Sequence, residues 1–427
     1  MPFNSQKLGA IVCAATMLHS AGAAFAQSTT YLPEWYFASD LSYDGTVATG
    51  NLVGPYEPFI WTPETGVELI GGATLQDIGV AAGTPDISHD GSRVSASIID
   101  LTGSYLTLGL WENNKWDSLV EVGEPGTATL DANIGSAWAI SGDGQTVGGL
   151  VWAGGAEYGN AKACTWSAST GLVILEVDAD LSARVNALNG DGSVAVGWEE
   201  RPDGAWQPTV WRDGVKMRLS PNDAFTGCEG VNSSGDIVVG TAFEPSTQNR
   251  VATIWRWDGT GYIEQKLPLL PGTPAFNGWA VANSVSDDGS IVVGTNYYSF
   301  NPGGTADGIV WTQDTGLVNA MDYFTSLGFV FESTIDIIGV YAVSPDGSTF
   351  IADYFNDRNG QVGSVILRVE DQCAADLNTD GSLDFFDVSA FLGLFQSQDP
   401  AADFNGDGLF DFFDVSTFLS AFNAGCP

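Results

Sequence analysis

The chain has 427 residues and carries 52 Asp and Glu against 14 Lys and Arg, a formal net charge of −38. That balance argues against nucleic acid or an anionic membrane surface as partner, because both would repel the chain, and it favours divalent cations. Only 15% of residues are charged and 53 are Gly, with Val, Ile, Thr and Ser plentiful; this is the composition of many short strands joined by tight turns, in a chain long enough for two or three domains.

The first 26 residues are predicted to be a signal peptide. Lys7 supplies a positive start, LGAIVCAATML is apolar but too short to span a bilayer, and AGAAFAQS offers a small-residue cleavage site after Ala26. Cys13 follows Val12, too large a residue for a lipoprotein cleavage site. No other apolar run reaches transmembrane length. The mature chain is therefore expected to begin near Gln27 and to be exported, to the exterior or the cell surface.

From Tyr36 to about Val369 one pattern recurs. LSYDGTVATG, ISHDGSRVSAS, ISGDGQTVGG, LNGDGSVAVG, VNSSGDIVVG, VSDDGSIVVG and VSPDGSTFIA carry turn glycines Gly45, Gly91, Gly144, Gly192, Gly235, Gly289 and Gly347, spaced 43 to 58 residues apart. Asp-Gly between apolar alternations predicts a hairpin in which both central residues take positive φ. A strand ending in Trp follows 16 to 22 residues after each of the first six glycines, at Trp61, Trp111, Trp166, Trp211, Trp255 and Trp311. A second turn and a last apolar strand complete about four strands per unit. Such units cannot bury their own faces, so neighbours must stack; the predicted fold is mainly β, a seven-bladed β-propeller over residues 28–370 with repeats of about 45–55 residues. Residues 28 to 40 offer a strand to close the ring, and a β-sandwich array is the alternative. The six repeat Trp are expected in the core between blades. Trp116, Trp198, Trp206, Trp257 and Trp279 fall outside that position, near loops, where a ring can either pack or stack on a sugar or peptide. Cys164 and Cys228 either pair or are small buried residues.

The units, with A-x-x-W-T, TGL and then S-x-D-G-x-x-V-V-G, resemble the extracellular HAF repeats of bacteria and the S-P-D-G repeats of periplasmic propellers. The marker turns also resemble the aspartate box of sialidases, but Gly follows Asp directly and the closing aromatic is absent, so sialidase chemistry does not transfer.

Two C-terminal stretches nearly repeat: DLNTDGSLDFFDVSAFLGLF from Asp376 and DFNGDGLFDFFDVSTFLSAF from Asp403, 27 residues apart. Each opens with a twelve-residue loop bearing oxygen ligands. Asp376, Asn378, Asp380, Asp384 and Asp387 stand at positions 1, 3, 5, 9 and 12, with the Ser382 carbonyl at 7 and Gly381 at the sharp turn. Asp403, Asn405, Asp407, Asp411 and Asp414, the Leu409 carbonyl and Gly408 repeat them. Hard oxygens in this order suit calcium, one ion per loop and two in all. The segment from Asp371 to Pro427 holds ten Asp and no Lys or Arg, so ion binding and folding are expected to be coupled. Val388, Phe391, Leu392 and Phe395, and Val415, Phe418, Leu419 and Phe422, follow helical spacing and predict two helices packed face to face. Cys373 and Cys426 bracket the loops and are a possible disulfide in an oxidising compartment.

A loop with a single following helix, duplicated at this spacing, resembles the type I dockerin (an EF-hand-like calcium module), and the FFDVS starts and AFNAGCP ending resemble the GC-type dockerin-like domains of planctomycete secreted proteins. The resemblance covers about residues 373–427 and implies a domain at 371–427 that docks on a cohesin-like or other surface protein. Asp at position 12 departs from the common EF-hand. Phe385, Phe386, Phe412 and Phe413 stand where cellulosomal dockerins bear a polar pair read by cohesin; this departure implies an apolar docking surface or a larger core.

No catalytic motif emerges. His89, the one histidine of the mature chain, sits in a turn beside Asp and is expected to face solvent; a single His builds no multi-His zinc site. No G-x-S-x-G elbow or P-loop appears. Two carboxylates suffice for glycoside hydrolysis, and the sequence does not choose a pair. The expected function is an exported, dockerin-anchored propeller that binds a carbohydrate or protein ligand. The alternatives are a polysaccharide-degrading enzyme of an extracellular complex and a structural surface-layer component.

Overall fold

The computed structural model describes residues 27–54, 56–72, 83–99, 103–121, 133–153, 160–177, 181–220, 226–276, 278–298, 305–369, 375–378, 382–405 and 408–424. The expected signal peptide, Cys373, Asp380, Gly381, Asp407 and Cys426 lie outside them.

Among these residues the strands form five four-stranded antiparallel sheets and one of eight strands, in which two four-strand runs share a single parallel pair, Arg250 with Trp279. Each run is one sequence repeat folded as a meander. Unit 1, for example, is Tyr36–Leu41, Ala48–Leu52, Glu57–Thr62 and Gly66–Leu69. Units 2 to 6 begin at Asp86, Gly135, Ala183, Gly227 and Trp279. Unit 7 takes three strands, Ile335–Val343, Thr349–Asn356 and Gln361–Val369, and receives its outermost strand from the other end of the chain: Gln27–Tyr31 pairs antiparallel with Gln361–Val369. The units stack as a β-propeller, with each first strand innermost.

The repeat Trp explain the stacking. Trp61 packs with Ala342, Ile351 and Ile366 of unit 7, Trp211 with Ala139 and Ala163 of unit 3, Trp255 with Val194 and Val196 of unit 4, and Trp311 with Val239 and Ile254 of unit 5. Each indole thus fills the gap to the preceding unit. Trp211 and Trp255 are wholly buried, whereas Trp111 and Trp166 are half-buried.

The marker turns differ from the expected two-residue hairpin. Only the glycine has positive φ, +65° at Gly45, while Asp44 does not. Side chains close the loop instead. Ser42 Oγ donates to Asp44 Oδ1 (3.0 Å), which also accepts from the Thr46 amide and hydroxyl, and Ser42 Oγ accepts from the Val47 amide (2.9 Å). The same pattern recurs at Asp90, Asp143, Asp191, Asp288 and Asp346. Two-residue turns with both residues at positive φ do occur, but further out in the units, at Asn113–Asn114 and Asp213–Gly214.

These turns also join the units. Tyr43 N donates to His89 O, His89 N to Gly142 O, Asp143 N to Gly190 O, and Gly190 N to Ser233 O; Ser233 N donates to the Asp287 carboxylate, Asp287 N to Pro345 O, and Asp346 N back to Tyr43 O. The circuit passes once through every unit.

The C-terminal residues form a separate small core. Helix α1 (Ala320–Ser326) belongs to the propeller, whereas α2 (Phe385–Ser397) and α3 (Phe412–Ala424) follow the two acidic loops. Phe391 and Phe418 are buried and stacked at 4.1 Å, with Phe404 edge-on to both. The expected face is corrected at one position in each helix: Leu392 and Leu419 are exposed, and Leu394 and Ala421 pack inward. At ~100° per residue, position 392 swings to the flank of a stripe centred on Phe391, while 394 returns on its other side.

Gly45 is held at positive φ, and a Cβ there would lie 2.2 Å from Thr349 Oγ1 of unit 7; Gly66 has similar φ but open space around it. Gly45→Ala is therefore expected to cost about 2–4 kcal/mol in denaturant unfolding and Gly66→Ala only about 1–2 kcal/mol, the conformational part alone.

Candidate functional site

The innermost strands are irregular in a way that serves the axis. Register shifts mark them at Ala38/Asp40, Ala137/Ala139, Val185/Ala187, Cys228/Gly230 and Ala282/Ser284, with two further shifts in Ile335–Val343. The V-V-G glycine of the adjoining strand makes room: a Cβ on Gly50 would lie 2.0 Å from Phe37 O, and Gly149, Gly197, Gly240 and Gly294 are equally close to their partners' carbonyls. A bulge re-aims the extra residue, here toward the propeller axis. There a cavity of about 910 Å³ is lined by Ser39, Pro85, Trp138, Asn186, Glu229, Asn283 and Tyr341, one per unit. Each stands three residues before the first Ser or Asn of its marker turn. That register was present in the sequence and was missed, since the markers were read as turns and not as rulers.

Carboxyl groups concentrate on this cavity. Asp40 and Asp86 share a hydrogen bond; Ile87 N donates to Asp40 Oδ2 (3.0 Å) and Ile140 N to Asp86 Oδ2 (2.6 Å). Burial, and then the Asp40 charge, hold Asp86 well above the carboxylate range. Burial likewise pushes Asp353 up to about 7, although the Ser364 hydroxyl donates to it. Glu229 is raised by burial and partly restored by Arg184 and by Asn186 Nδ2 at 2.9 Å. The Arg184 guanidinium lies 3.5 Å from the Trp138 ring centroid, and its Nε donates to Asn186 Oδ1. Burial lowers its pKa to about 10. The Trp138 indole N–H is buried without a hydrogen-bond partner.

His89 does not face solvent as expected. It is half-buried at the turn end of the cavity, edge-on to Tyr43 at 5.3 Å, with Nε2 3.4 Å from Ser233 Oγ. Gly142 leaves the space for its ring, as a Cβ there would lie 2.4 Å from it. Tyr43 donates to Asp287, whose charge raises the phenol pKa. Trp-based expectations are also refined. Trp116 donates its N–H to Ile70 O, Trp257 packs on Arg212 and Tyr262, and Trp279 on Tyr297; Trp198 is buried under Trp206, which alone of the five is exposed. Cys164 and Cys228 are free and buried in different units' cores, not paired.

The acidic loops repeat one geometry. Asp387 is fully buried, accepting from Asn378 N (3.2 Å) on Oδ1 and Asp384 N (2.9 Å) on Oδ2; Asp414 does the same with Asn405 N (3.3 Å) and Asp411 N (2.9 Å). Those amides, first the one at Asp384 or Asp411, lower both carboxyls' pKa. The twelfth-position carboxylate thus ties the third and ninth positions into one loop and keeps the anionic form that a hard cation needs. Among the described residues no group of three His, Cys, Asp or Glu is gathered closely enough to hold a metal. Phe385, Phe386, Phe412 and Phe413 are 64–76% exposed, which removes the larger-core reading.

No protein-family profile and no curated protein matches the chain. Solved structures similar to it include TolB from Acinetobacter baumannii (13% identity, TM-score 0.39, covering 77% of this chain and 64% of that one). The β-propeller domain of the Trilobed protease from Pyrococcus furiosus has 12% identity and TM-score 0.46, covering 78% and 95%. A β-propeller domain from Myceliophteria thermophila has 9% identity and TM-score 0.47, covering 80% and 99%. The chain thus spans less than two thirds of the length of that TolB. No described helix is long and apolar enough to cross a membrane.

A carboxyl with a raised native pKa binds its proton more tightly when folded, so its contribution to stability falls as pH rises from the unfolded pKa through the native one. For Asp353 that window runs from the ordinary carboxyl value of 3.8 to about 7. Asp353→Asn should flatten the loss of stability between about pH 5 and 7 and leave the protein at least as stable as the parent above about pH 7, measured by urea unfolding.

Proposed function

We propose that the chain is an exported binding protein: a seven-bladed β-propeller that takes a ligand in its axial cavity, carried by a C-terminal calcium-loaded domain of dockerin type that fixes it to a partner at the cell surface or in an extracellular complex. The observation that carries the binding reading is the cavity itself, to which every unit contributes one side chain from the same register position. A concave site that joins apolar and aromatic walls to convergent polar groups is the general form of a ligand pocket. The degradative alternative is less well supported. Asp40 and Asp86 are in hydrogen-bond contact, closer than the ~5–5.5 Å of a retaining glycosidase pair.

In the C-terminal domain, Asp376, Asn378, Asp380, the Ser382 carbonyl, Asp384 and Asp387 would hold one calcium, and Asp403, Asn405, Asp407, the Leu409 carbonyl, Asp411 and Asp414 the other. The ions supply positive charge to a segment whose sequence has none of its own. Phe385, Phe386, Phe412 and Phe413 stand exposed beside the loops, and they form the surface offered to a cohesin-like or other partner.

Titration calorimetry of the full chain is expected to give two calcium ions per molecule, with a gain in helical signal. Asp387→Ala should leave one ion and the Asp387→Ala, Asp414→Ala pair none; a parent chain that binds no calcium would remove the anchoring reading. For the propeller, a glycan panel scored for both retention and product release separates binding from hydrolysis; release of cleaved sugar would favour the enzyme.

A further inference from the structure

We infer that the axial cavity selects an amino sugar, a ligand that joins a primary ammonium to hydroxyl acceptors on an apolar ring. The inference rests on the cavity being the propeller's binding site and names its ligand class.

Charge is the first reason. Asp40 and Asp86 (units 1 and 2), Glu229 (unit 5) and Asp353 (unit 7) all line the cavity. His89 and the weakly acidic Tyr341 also line it; Tyr341 is hydrogen-bonded to Tyr297, and Asp287 takes the hydrogen bond of Tyr43 beside His89. The guanidinium closest to this wall, Arg184, is stacked on Trp138 and opposes Glu229 alone. Glu229 is answered by Arg184, and Asp86 is hydrogen-bonded to Asp40 and held above the carboxylate range, so the charge left for a ligand comes from Asp40 and from Asp353 as it ionises. It favours cations over anions, and the net charge of −38 raises the local cation concentration further.

The second reason is shape and polarity. A bare metal ion would leave most of a cavity of about 910 Å³ unfilled. Its walls alternate acid with aromatic and amide: Phe37, Tyr56, Trp138 and Tyr341 offer ring faces or edges, and Asn51, Asn186 and Asn283 offer amides. Aromatic faces favour a cation or a flat C–H face, and amides suit hydroxyls. A simple polyamine leaves those amides unanswered, and a neutral sugar leaves the carboxyls unanswered. Tyr56, exposed and held at φ +52°, lies among the lining residues; a bulky residue kept in this unfavoured backbone region is a common mark of a binding site.

The raised carboxyls add a linkage. Asp353 and Asp86 hold protons that a bound ammonium would expel, so binding releases protons and tightens as pH rises toward about 7, where Asp353 ionises.

The test is calorimetry of the full chain, saturated with calcium, against the glucosamine disaccharide and its N,N′-diacetyl form, in which both ammonium groups become neutral and bulkier acetamides; cellobiose, neutral without the added bulk, is the control and should bind as weakly as the diacetyl form. The expected result is binding of the free amine, at least about tenfold weaker binding of the acetylated form, and a similar loss in Asp353→Asn and in Glu229→Gln. Both substitutions are near-isosteric, and a single cooperative unfolding transition shows that they fold. Equal binding of both sugars, weakened by the variants, would overturn the ammonium requirement and keep the cavity as the site. Binding that neither folded variant alters would place the sugar elsewhere and overturn the cavity reading with it. No binding of the free amine overturns the inference.

Discussion

The circuit of hydrogen bonds through the marker turns is the constraint on which the structure depends. It runs from Tyr43 through His89, Gly142, Gly190, Ser233, Asp287 and Pro345 and returns to Tyr43. A four-stranded meander has two open faces and two edges, and none of these seven units buries enough by itself. The turn circuit sets the angle at which successive units meet, and each turn glycine rests against the unit before it: Gly91 on Val47, Gly192 on Thr146, Gly235 on Val194, Gly45 on Thr349. The last contact and the Gln27–Tyr31 strand both tie the two ends of the propeller together. Opening either would expose the core around Trp61.

The same repeat produces the site. Ser-x-Asp-Gly fixes a loop on the axis, and the V-V-G glycine of the following strand admits a bulge in the innermost strand. In six units a bulge turns the residue three before the loop into the cavity, and in unit 2 Pro85 takes that place without one. Two structural requirements, closing the turn and seating the bulge, therefore leave one position per unit facing the axis, where some of its residues also hydrogen-bond the next unit. That position holds Ser39, Pro85, Trp138, Asn186, Glu229, Asn283 and Tyr341, the most varied set at any repeat position of the channel. Variation confined to the axis is what a shared scaffold with a specific interior requires.

Much of the fold was legible because periodic constraints repeat seven times: turn glycines, strand-ending Trp and the duplicated acidic loops. What stayed illegible depended on contacts between units. His89 looked like a surface turn residue because nothing local shows that Gly142, more than fifty residues on, opens a place for its ring. Leu392 and Leu419 fit helical spacing as well as Leu394 and Ala421 do, and only the position of the partner helix decides between them. The carboxyl cluster was hidden for another reason. With 52 acids in the chain, Asp353 carries no distinguishing local pattern; Glu229 stands at the register position and Asp40 and Asp86 just after it, but the four become a group only when units 1, 2, 5 and 7 meet at the axis.

The central claim is that the turn circuit closes the propeller into one cooperative body around a preformed cavity. Native-state hydrogen exchange of the turn amides tests it most directly. The amides of Tyr43, His89, Gly190, Asp287 and Asp346 should exchange together, at the slow rate set by global unfolding. Exchange in separate groups, with Tyr43 and Asp346 opening well before the others, would mean that the circuit is not closed and would contradict the account.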